Sequence, residues 1–248
     1  MEKKEKLMKE RILKERHLLS WDDIGMNKRM HWAALNRVLQ QAAVNHAEHL
    51  GFGFTDISKE NVSWVLFRLH IQILRWPQWK EEIEVCTWPS FVKSISAFRE
   101  FEIKTDSGEL ICNASSEWLI IDLNTRKPRR VEDFHRFDDV LTPEKTLTEA
   151  PPRYNAKGEF TDLFTGEVRF SHMDMNNHLN ALHYFGWFSD AFYLVHGLKT
   201  PSFLSMTYFN ECMLGEKVVM QQSADDPMVF RGYKPETGKI AFLAAAKI

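Results

Sequence analysis

The sequence predicts an α+β fold built from two copies of one unit, in which a long helix is followed by an antiparallel sheet. Apolar side chains alternate with polar ones along residues 65–73, which is the period-2 pattern of a half-buried strand. The turn at residues 105–108 joins two further strands as a hairpin, and sequential hairpins indicate an antiparallel sheet. The same order of elements returns after residue 160, which predicts a tandem repeat.

The first predicted unit covers residues 1–139. After a charged start, residues 12–20 form a first strand, a turn follows, and a helix runs over residues 30–50 until Gly51 ends it. Small side chains recur at helical spacing along this helix, so another element can pack closely against it. The strands after the helix are predicted at residues 65–73, 82–88, 97–103 and 109–122.

The second predicted unit covers residues 161–248 and follows a linker at residues 140–160 that is rich in proline and poor in apolar residues. Its long helix spans residues 179–195, with Asn176 or Asn177 as the expected N-cap. Because this helix is apolar around most of its circumference, we expect it to be buried. The strands of this unit are predicted at residues 167–170, 202–211, 216–223, 229–233 and 239–248.

The composition is that of a globular protein, with 248 residues, 44% hydrophobic residues and a formal net charge of −2. No stretch approaches the roughly 18 consecutive apolar residues of a membrane span, and no nucleic-acid-binding motif is present. The three cysteines are widely spaced and odd in number, as in a protein with reduced thiols. The charged N-terminus lacks the apolar segment of a signal peptide, so we expect a cytoplasmic protein that binds neither membranes nor nucleic acid.

The two units differ in the tetrapeptide that precedes each long helix. Residues 26–29 read Met-Asn-Lys-Arg, and residues 175–178 read Met-Asn-Asn-His. A polar cluster that served only as a helix cap would suit both copies equally. Arg29 nevertheless stands where the second copy has His178. We therefore expect the second unit to be catalytic and the first to serve mainly in binding.

Asp174, Asn176 and His178 form a polar cluster just before the second long helix. Such residues are most often caps and turn residues. Here, however, an acid, an amide and an imidazole stand at the positive end of a helix dipole, where negative charge on a substrate oxygen is stabilised. The cluster is therefore a candidate catalytic site as well as a candidate cap.

Four segments resemble, in the expected order, the acyl-ACP thioesterases, the plant and bacterial enzymes that terminate fatty-acid chains. Residues 64–88 contain a W-x(4)-L-H strand, and residues 107–131 end in T-R-K-P-R-R-V. Residues 170–187 carry a D-x-N-x-H pattern like that of the family, and residues 211–212 resemble its following Glu-Cys pair. The resemblance extends over most of the chain, from about residue 12 to residue 248.

The resemblance implies two tandem hot-dog units, each an antiparallel sheet curled around a long central helix, which agrees with the repeat. It also implies hydrolysis of a fatty acyl thioester on the phosphopantetheine arm of acyl carrier protein. The histidines near the motif lack the spacing of a helical metal pair, so we expect no metal, and we expect no cofactor. The residues that match the catalytic positions of the family are Asp174, Asn176, His178 and Glu211. Cys212 matches a cysteine once proposed as the family's nucleophile.

This match leaves two nucleophiles open, a water molecule and Cys212. Glu211 beside His178 would activate water, and Asp174 would orient the imidazole. A carboxylate close to the Cys212 thiol would raise its pKa and disfavour the reactive thiolate. Neighbouring side chains in a strand point to opposite faces, so only one of the pair Glu211 and Cys212 reaches His178. We therefore favour water activated by Glu211 and His178.

Two binding surfaces are expected around this chemistry. In the family the acyl chain lies between the helix and the sheet of the first unit. Four residues are candidates to line such a slot here: Ala33, Val65, Phe67 and Leu69. The densest basic cluster outside the N-terminus consists of Arg126, Lys127, Arg129 and Arg130. Because acyl carrier protein is strongly acidic, we expect this cluster to contact it.

Two other functions are compatible with the same residues. An acyl-CoA thioesterase on this fold would use the same phosphopantetheine arm and would differ only in the surface around the cleft. A non-catalytic acyl-binding regulator would lack the acid, amide and imidazole set or would carry an added DNA-binding segment, and neither feature is present. The tandem repeat supplies the pair of units that a hot-dog protein needs, so a monomer and a homodimer are both compatible with it.

Overall fold

The structure is a computed structural model that describes residues 11–134, 137, 139–147, 154–175 and 177–248. Asn176 and residues 148–153 of the predicted linker lie outside these described residues. Within them the chain forms one eleven-stranded sheet against which two long helices pack. None of the helices in this part of the chain combines the length and the apolar character that crossing a bilayer requires.

The first half of the chain contributes one long helix, one short helix and six strands. Helix α1 is Trp32–Leu50 and helix α2 is Phe54–Ile57. The strands are β1 Leu13–Leu18, β2 Val62–Ile73, β3 Glu82–Lys93, β4 Ser96–Thr105, β5 Leu110–Asp122 and β6 Pro128–Arg129. The predicted hairpin is confirmed, since β4 and β5 pair antiparallel around the turn that contains Gly108. The φ of 87° at Gly108 is one that glycine adopts without strain.

The second half contributes one long helix and five strands. Helix α3 is Ala181–His196. The strands are β7 Phe160–Glu167, β8 Phe203–Tyr208, β9 Lys217–Ser223, β10 Val229–Lys234 and β11 Lys239–Lys247.

One predicted strand in this half is placed wrongly, and another ends earlier than predicted. The strand predicted at residues 167–170 ends at Glu167, and Phe170–His172 form a 3-10 turn instead. The strand predicted at residues 202–211 ends at Tyr208. The N–H groups of the next two residues both donate to the same carbonyl, that of Ala241, and this ends the regular ladder. The Glu-Cys pair therefore lies beyond the strand.

The order of strands confirms the predicted repeat. Along the sheet it is β1-β3-β4-β5-β2-β8-β11-β10-β9-β7, with β6 attached to β5. Taken inward from either edge, each half has the same sequence of strands, so that β1 corresponds to β7 and β2 to β8. The halves join where β2 pairs antiparallel with β8, from Arg68 opposite Thr207 to Gln72 opposite Phe203. The exact limits given above to the two units stay a prediction.

The two long helices lie side by side and share one hydrophobic core with the sheet. Leu35 of α1 and Phe188 of α3 are both fully buried in this core. Helix α3 is less enclosed than predicted, because Tyr193 and Leu194 are 49% and 61% exposed. One face of α3 therefore contacts solvent, and the expectation of burial nearly all round is wrong.

Strand β2 contains a bulge that changes which side chains share a face. Phe67 is the extra residue between Leu66 and Arg68, which pair with consecutive residues of β5. A bulge of this kind shifts the alternation of side chains by one residue. Leu66 and Leu69 therefore share the face toward the core, whereas Val65 and Leu69 lie on opposite faces.

Candidate active site

A closed loop before α3 carries the predicted catalytic residues. Met173 and Leu179 form an isolated antiparallel bridge at its base. The Asp174 N–H donates to the carbonyl of His178 at 2.8 Å, and the Asn177 N–H donates to the carbonyl of Asp174 at 3.1 Å. The φ of Asn177 is 60°, in the left-handed region that asparagine adopts more readily than most residues. These bonds fix the backbone of His178.

The N-cap of α3 is Asn180, so the predicted cap at Asn176 or Asn177 is wrong. The closed loop extends to Leu179, so the helix begins only after Asn180. The side-chain oxygen of Asn180 accepts from the Leu182 N–H at 3.1 Å, and its carbonyl accepts from the His183 N–H at 3.0 Å. These two first-turn amides already have partners and are not free to hold a substrate oxygen.

The first half contains a loop with the same backbone but different chemistry. There the Gly25 N–H donates to the carbonyl of Arg29 at 2.9 Å, as Asp174 does to His178. Lys28 has a φ of 62°, close to that of the matching residue in the second loop. The shared backbone supports the repeat, and the acid and the imidazole occur in the second copy of the loop.

His178 and Glu211 meet although they come from distant parts of the chain. The Nε2 atom of His178 lies 3.3 Å from Oε2 of Glu211. The two side chains are 20% and 35% exposed, so both are accessible from solvent. An imidazole and a carboxylate at this separation can act together as a general base.

Arg126, from the turn between β5 and β6, completes this cluster. Its Nη2 contacts Oε2 of Glu211 and lies 3.2 Å from Nε2 of His178. A guanidinium group can only donate hydrogen bonds. In a hydrogen bond with Arg126, Nε2 of His178 is therefore the acceptor. From the sequence Arg126 is expected at the carrier surface, whereas the structure brings it to the catalytic candidates, a position that no local pattern signals.

Two polar side chains hold the segment of Glu211 in place. The Lys234 ammonium donates to the backbone carbonyl of Glu211 at 2.8 Å and pairs with Glu216 at 2.7 Å. The side-chain amide of Asn210 donates to the carbonyl of Ile240 at 2.7 Å. Lys234 is only 6% exposed, so it acts as an internal anchor. Sequence reasoning missed it because its role depends on the position of β10.

Asp174 supports His178 through the main chain. Its Oδ1 accepts from the backbone N–H of His178 at 3.1 Å. This bond is with the backbone of His178, whereas the contact expected from the sequence is with its imidazole. Asn176, the amide of the predicted set, lies outside the described residues.

Cys212 faces away from the catalytic candidates. Its side chain is fully buried and hydrogen-bonded with Tyr184. Burial is the main cause that raises the pKa of the Cys212 thiol, opposed by the Tyr184 hydrogen bond and the charge of Lys234 and assisted by Glu216. From the sequence, the charge of Glu211 is expected to raise this pKa. The pKa is raised, but the main cause is burial. A protonated thiol is a poor nucleophile.

A cleft of about 1120 Å³ runs from this cluster into the first half of the protein. Its walls include apolar side chains of α1, β2 and β5: Ala43, Val44, Ala47, Val65, Phe67 and Trp118. Large apolar clefts with a few convergent polar groups are typical small-molecule sites. Of the predicted chain-binding residues, Val65 and Phe67 line the cleft. Leu69 is buried in the core, and Ala33 borders a separate depression.

The remaining basic residues adjoin this cleft. Lys127, Arg129 and Arg130 are exposed. Pro128, between them, lines the cleft. Arg129 packs over an aromatic ring, and Arg130 pairs with Glu132 at 2.6 Å. The cluster therefore lies at the edge of the cleft.

Two further histidines lie near the site. The rings of His172 and His183 pack with their centroids 4.3 Å apart. Burial, followed by the charge of His172, lowers the pKa of His183. In the described part of the chain, no three His, Cys, Asp or Glu side chains are grouped so that they could hold a metal ion.

Two family models match the chain in order. The model of the acyl-ACP thioesterase N-terminal domain matches residues 10–136, and that of the acyl-ACP thioesterase C-terminal domain matches residues 156–238. The first match covers β1 to β6, and the second covers β7 to β10.

Solved structures share this architecture over nearly the whole chain. An acyl-ACP thioesterase from Bacteroides thetaiotaomicron has a TM-score of 0.86 and 24% identity, covering 97% of this chain and 98% of that one. A 12:0-ACP thioesterase from Umbellularia californica has a TM-score of 0.79 and 19% identity, covering 96% of each chain. At these identities the likeness concerns the fold, which is confirmed as a tandem hot-dog.

Curated plant proteins are related to the chain in sequence. The oleoyl-acyl carrier protein thioesterase 2 of Arabidopsis thaliana is 28% identical over 237 residues, which are 86% of this chain and 63% of that protein. The oleoyl-acyl carrier protein thioesterase of Coriandrum sativum is 28% identical over 80% of this chain and 59% of its own length. The chain thus spans about six-tenths of the length of these relatives. Because the family models match both halves in order, the chain belongs to the acyl-ACP thioesterase family.

Proposed function

We propose that this protein hydrolyses fatty acyl thioesters of acyl carrier protein to free fatty acid and the carrier thiol, which terminates chain elongation. One observation carries the proposal: His178 and Glu211 lie 3.3 Å apart at the end of a large apolar cleft. Hydrolysis of an acyl thioester needs a slot for the chain and a base for water. Family membership supports the substrate class, and the relatives from Arabidopsis thaliana and Coriandrum sativum are named oleoyl-acyl carrier protein thioesterases.

In the proposed mechanism Glu211 is the base that activates water. Its Oε2 contacts Arg126 and His178, whereas its Oε1 has no partner among the described residues and is open to a water molecule. Water attacks the carbonyl carbon as its proton moves to Glu211. The tetrahedral intermediate then breaks its C–S bond, and the departing thiolate takes up that proton. A thiolate is a stable leaving group, so strong acid assistance is unnecessary.

The other residues of the predicted set support this step. Asp174 fixes the backbone of His178, so that the imidazole stays beside the carboxylate. His178 lies beside Glu211 and assists in moving the reacting proton, and Asn176 would hold the carbonyl or the water. Cys212 takes no part as a nucleophile, because its thiol is buried, bonds with Tyr184 and does not line the cleft.

Carrier protein and acyl chain approach from different sides. We assign the acidic carrier to the exposed residues Lys127, Arg129 and Arg130 at the edge of the cleft. Val65 and Phe67 belong to the wall along which the acyl chain lies. This arrangement brings the thioester, at the junction of arm and chain, to the catalytic candidates.

The decisive experiment compares purified protein on acyl-ACP of several chain lengths with the matched acyl-CoA thioesters. We expect free fatty acid to be released faster from acyl-ACP. Equal or faster turnover of acyl-CoA would favour an acyl-CoA thioesterase on the same fold. Binding of acyl chains without any turnover would favour a non-catalytic regulator.

We also infer that the protein works in the cytoplasm. The three cysteines are free and buried in the structure, which supports a reducing compartment. The plant relatives are named as chloroplastic, and that location is a property of those proteins. Detection of the protein in fractionated cells tests the inference.

A further inference from the structure

We propose that Arg126 is a catalytic residue of the hydrolysis, supplied by the first half of the protein, which holds the oxyanion that forms in the second half. The inference rests on the proposed thioesterase function. It gives the residue a role in the reaction itself, separate from that of its basic neighbours at the carrier surface.

The turn that carries Arg126 is fixed by its own hydrogen bonds. The Arg126 N–H donates to the carbonyl of Asp122 at 2.8 Å, and the Asp122 N–H donates to the carbonyl of Lys127 at 3.0 Å. The Asp122 carboxylate accepts from the N–H groups of Asn124 at 3.1 Å and Thr125 at 2.8 Å. A turn held in this way aims its side chain at one place, which is the cluster of the catalytic candidates.

The guanidinium of Arg126 has donors left over at that place. Its Nη2 contacts Glu211 and His178, whereas Nε and Nη1 have no partner among the described residues. Arginine carries five N–H donors in a planar fork and keeps its charge at any physiological pH. When water on Glu211 attacks a thioester, the carbonyl oxygen becomes negative beside this cation.

Two backbone donors at the start of α3 are already engaged. The first-turn amides of Leu182 and His183 in α3 both bond to Asn180. In the described part of the cluster, Arg126 is the cation that contacts both His178 and Glu211. Stabilising developing charge with a preorganised donor is often the largest single contribution to catalysis.

The reaction passes through one tetrahedral intermediate. As the water oxygen bonds to the carbonyl carbon, the π pair of the C=O bond moves to oxygen, and the N–H donors of Arg126 hold that oxyanion. When the intermediate collapses, the pair returns and the C–S bond breaks. The thiolate leaves with the bonding pair and accepts the proton that Glu211 took from water.

Arg126→Gly is a clean test, because the φ of Arg126 is 57° and glycine adopts this conformation without strain. The variant should fold with a Tm equal to that of the wild type or higher. Its kcat should fall by about 100-fold or more, the usual effect of losing one oxyanion donor, with little change in KM. Lys80→Gly is the matched control, since Lys80 is a cation with a φ of 65° that does not line the cleft.

Both variants are assayed on acyl-ACP and on a small acyl-pantetheine thioester that lacks the carrier. We expect an equal loss of kcat on both substrates for Arg126→Gly, and partial recovery when guanidinium ions are added. A loss confined to acyl-ACP, an unchanged kcat, or faster hydrolysis would each overturn the assignment. Wild-type protein that hydrolyses neither thioester would overturn the proposed function as well, whereas active wild type with an unaffected variant overturns this inference alone.

Discussion

The backbone N–H of Leu179 donates to the backbone carbonyl of Cys212 across 2.9 Å. This bond joins the segment that carries His178 to the segment that carries Glu211. His178 directly precedes Leu179, and Glu211 directly precedes Cys212. The main chain therefore helps to set the separation of imidazole and carboxylate, and we expect substitutions at these positions to leave the backbone in place. Losses of activity in such variants report chemistry rather than misplacement.

Removing either member of the pair should abolish most activity. Glu211→Gln keeps the shape of the side chain but loses the base, and His178→Ala removes the imidazole. Each should lower kcat on acyl-ACP by at least about 100-fold, the usual scale for a general base. Glu236→Gln, at an exposed turn residue, serves as the matched control for the first variant and should leave kcat unchanged. Near-normal kcat in Glu211→Gln would remove this carboxylate from the mechanism.

Cys212→Ala should retain most of the activity. The thiol is buried and its pKa is raised mainly by burial, so it stays protonated at neutral pH and is not poised for attack. In the folded wild-type protein we expect slow alkylation of Cys212 by iodoacetamide at about pH 8, near the ordinary pKa of a thiol. Rapid mixing should reveal no acyl-enzyme, because water attacks directly. A trapped thioester on Cys212, or an inactive but folded Cys212→Ala protein, would establish covalent chemistry instead.

Much of the architecture follows from patterns that the sequence displays directly. The alternation along β2, the hairpin at Gly108 and the similar loops at Lys28 and Asn177 all predict a repeated helix-and-sheet unit, which the strand order confirms. These features are local, because they depend on the period of one strand or on the φ of one turn residue. Local signals of this kind locate the elements, although a bulge can still change which side chains share a face.

Other features depend on contacts that no local pattern contains. Phe67 forms a bulge in the pairing of β2 with β5, so Leu69 does not share a face with Val65. The N-cap of α3 is Asn180 rather than Asn176 or Asn177, because a closed loop precedes the helix. Arg126 reaches the catalytic candidates only once the two halves of the sheet have joined. Tertiary pairing decides the first and the third, and the hydrogen bonds of the loop itself decide the second.

The basic cluster at the edge of the cleft should control recognition of the carrier. Replacing Arg129 and Arg130 by alanine should raise KM for acyl-ACP and flatten its dependence on salt, because steering by clustered charge is screened by ions. KM for acyl-CoA should change little. Kinetics at low and high ionic strength check this, and an unaltered salt dependence for acyl-ACP would separate the cluster from carrier binding.

The stability of the protein should fall in mild acid because of His70, which lies where β2 pairs with β8. Its ring stacks on Phe203, with centroids 6.5 Å apart, and its Nδ1 is buried without a hydrogen-bond partner in the described residues. Burial, and to a smaller extent the charge of Arg68, lowers the pKa of His70 to about 4. An unfolded histidine has a pKa of about 6.5, so the unfolded chain binds the proton first as the pH falls.

The contribution of neutral His70 is thus fully present above about pH 6.5 and is lost as the pH falls toward about 4. Between pH 7 and pH 5 the free energy of unfolding should decrease by about 2 kcal/mol through this group. His70→Phe cannot titrate, so urea unfolding of this variant should lose correspondingly less stability over the same interval. His49→Phe, at an exposed position on α1, should keep the wild-type dependence. Equal acid losses in wild type and His70→Phe would mean that His70 is protonated in the folded protein, and the join between the two halves would then tolerate a charge.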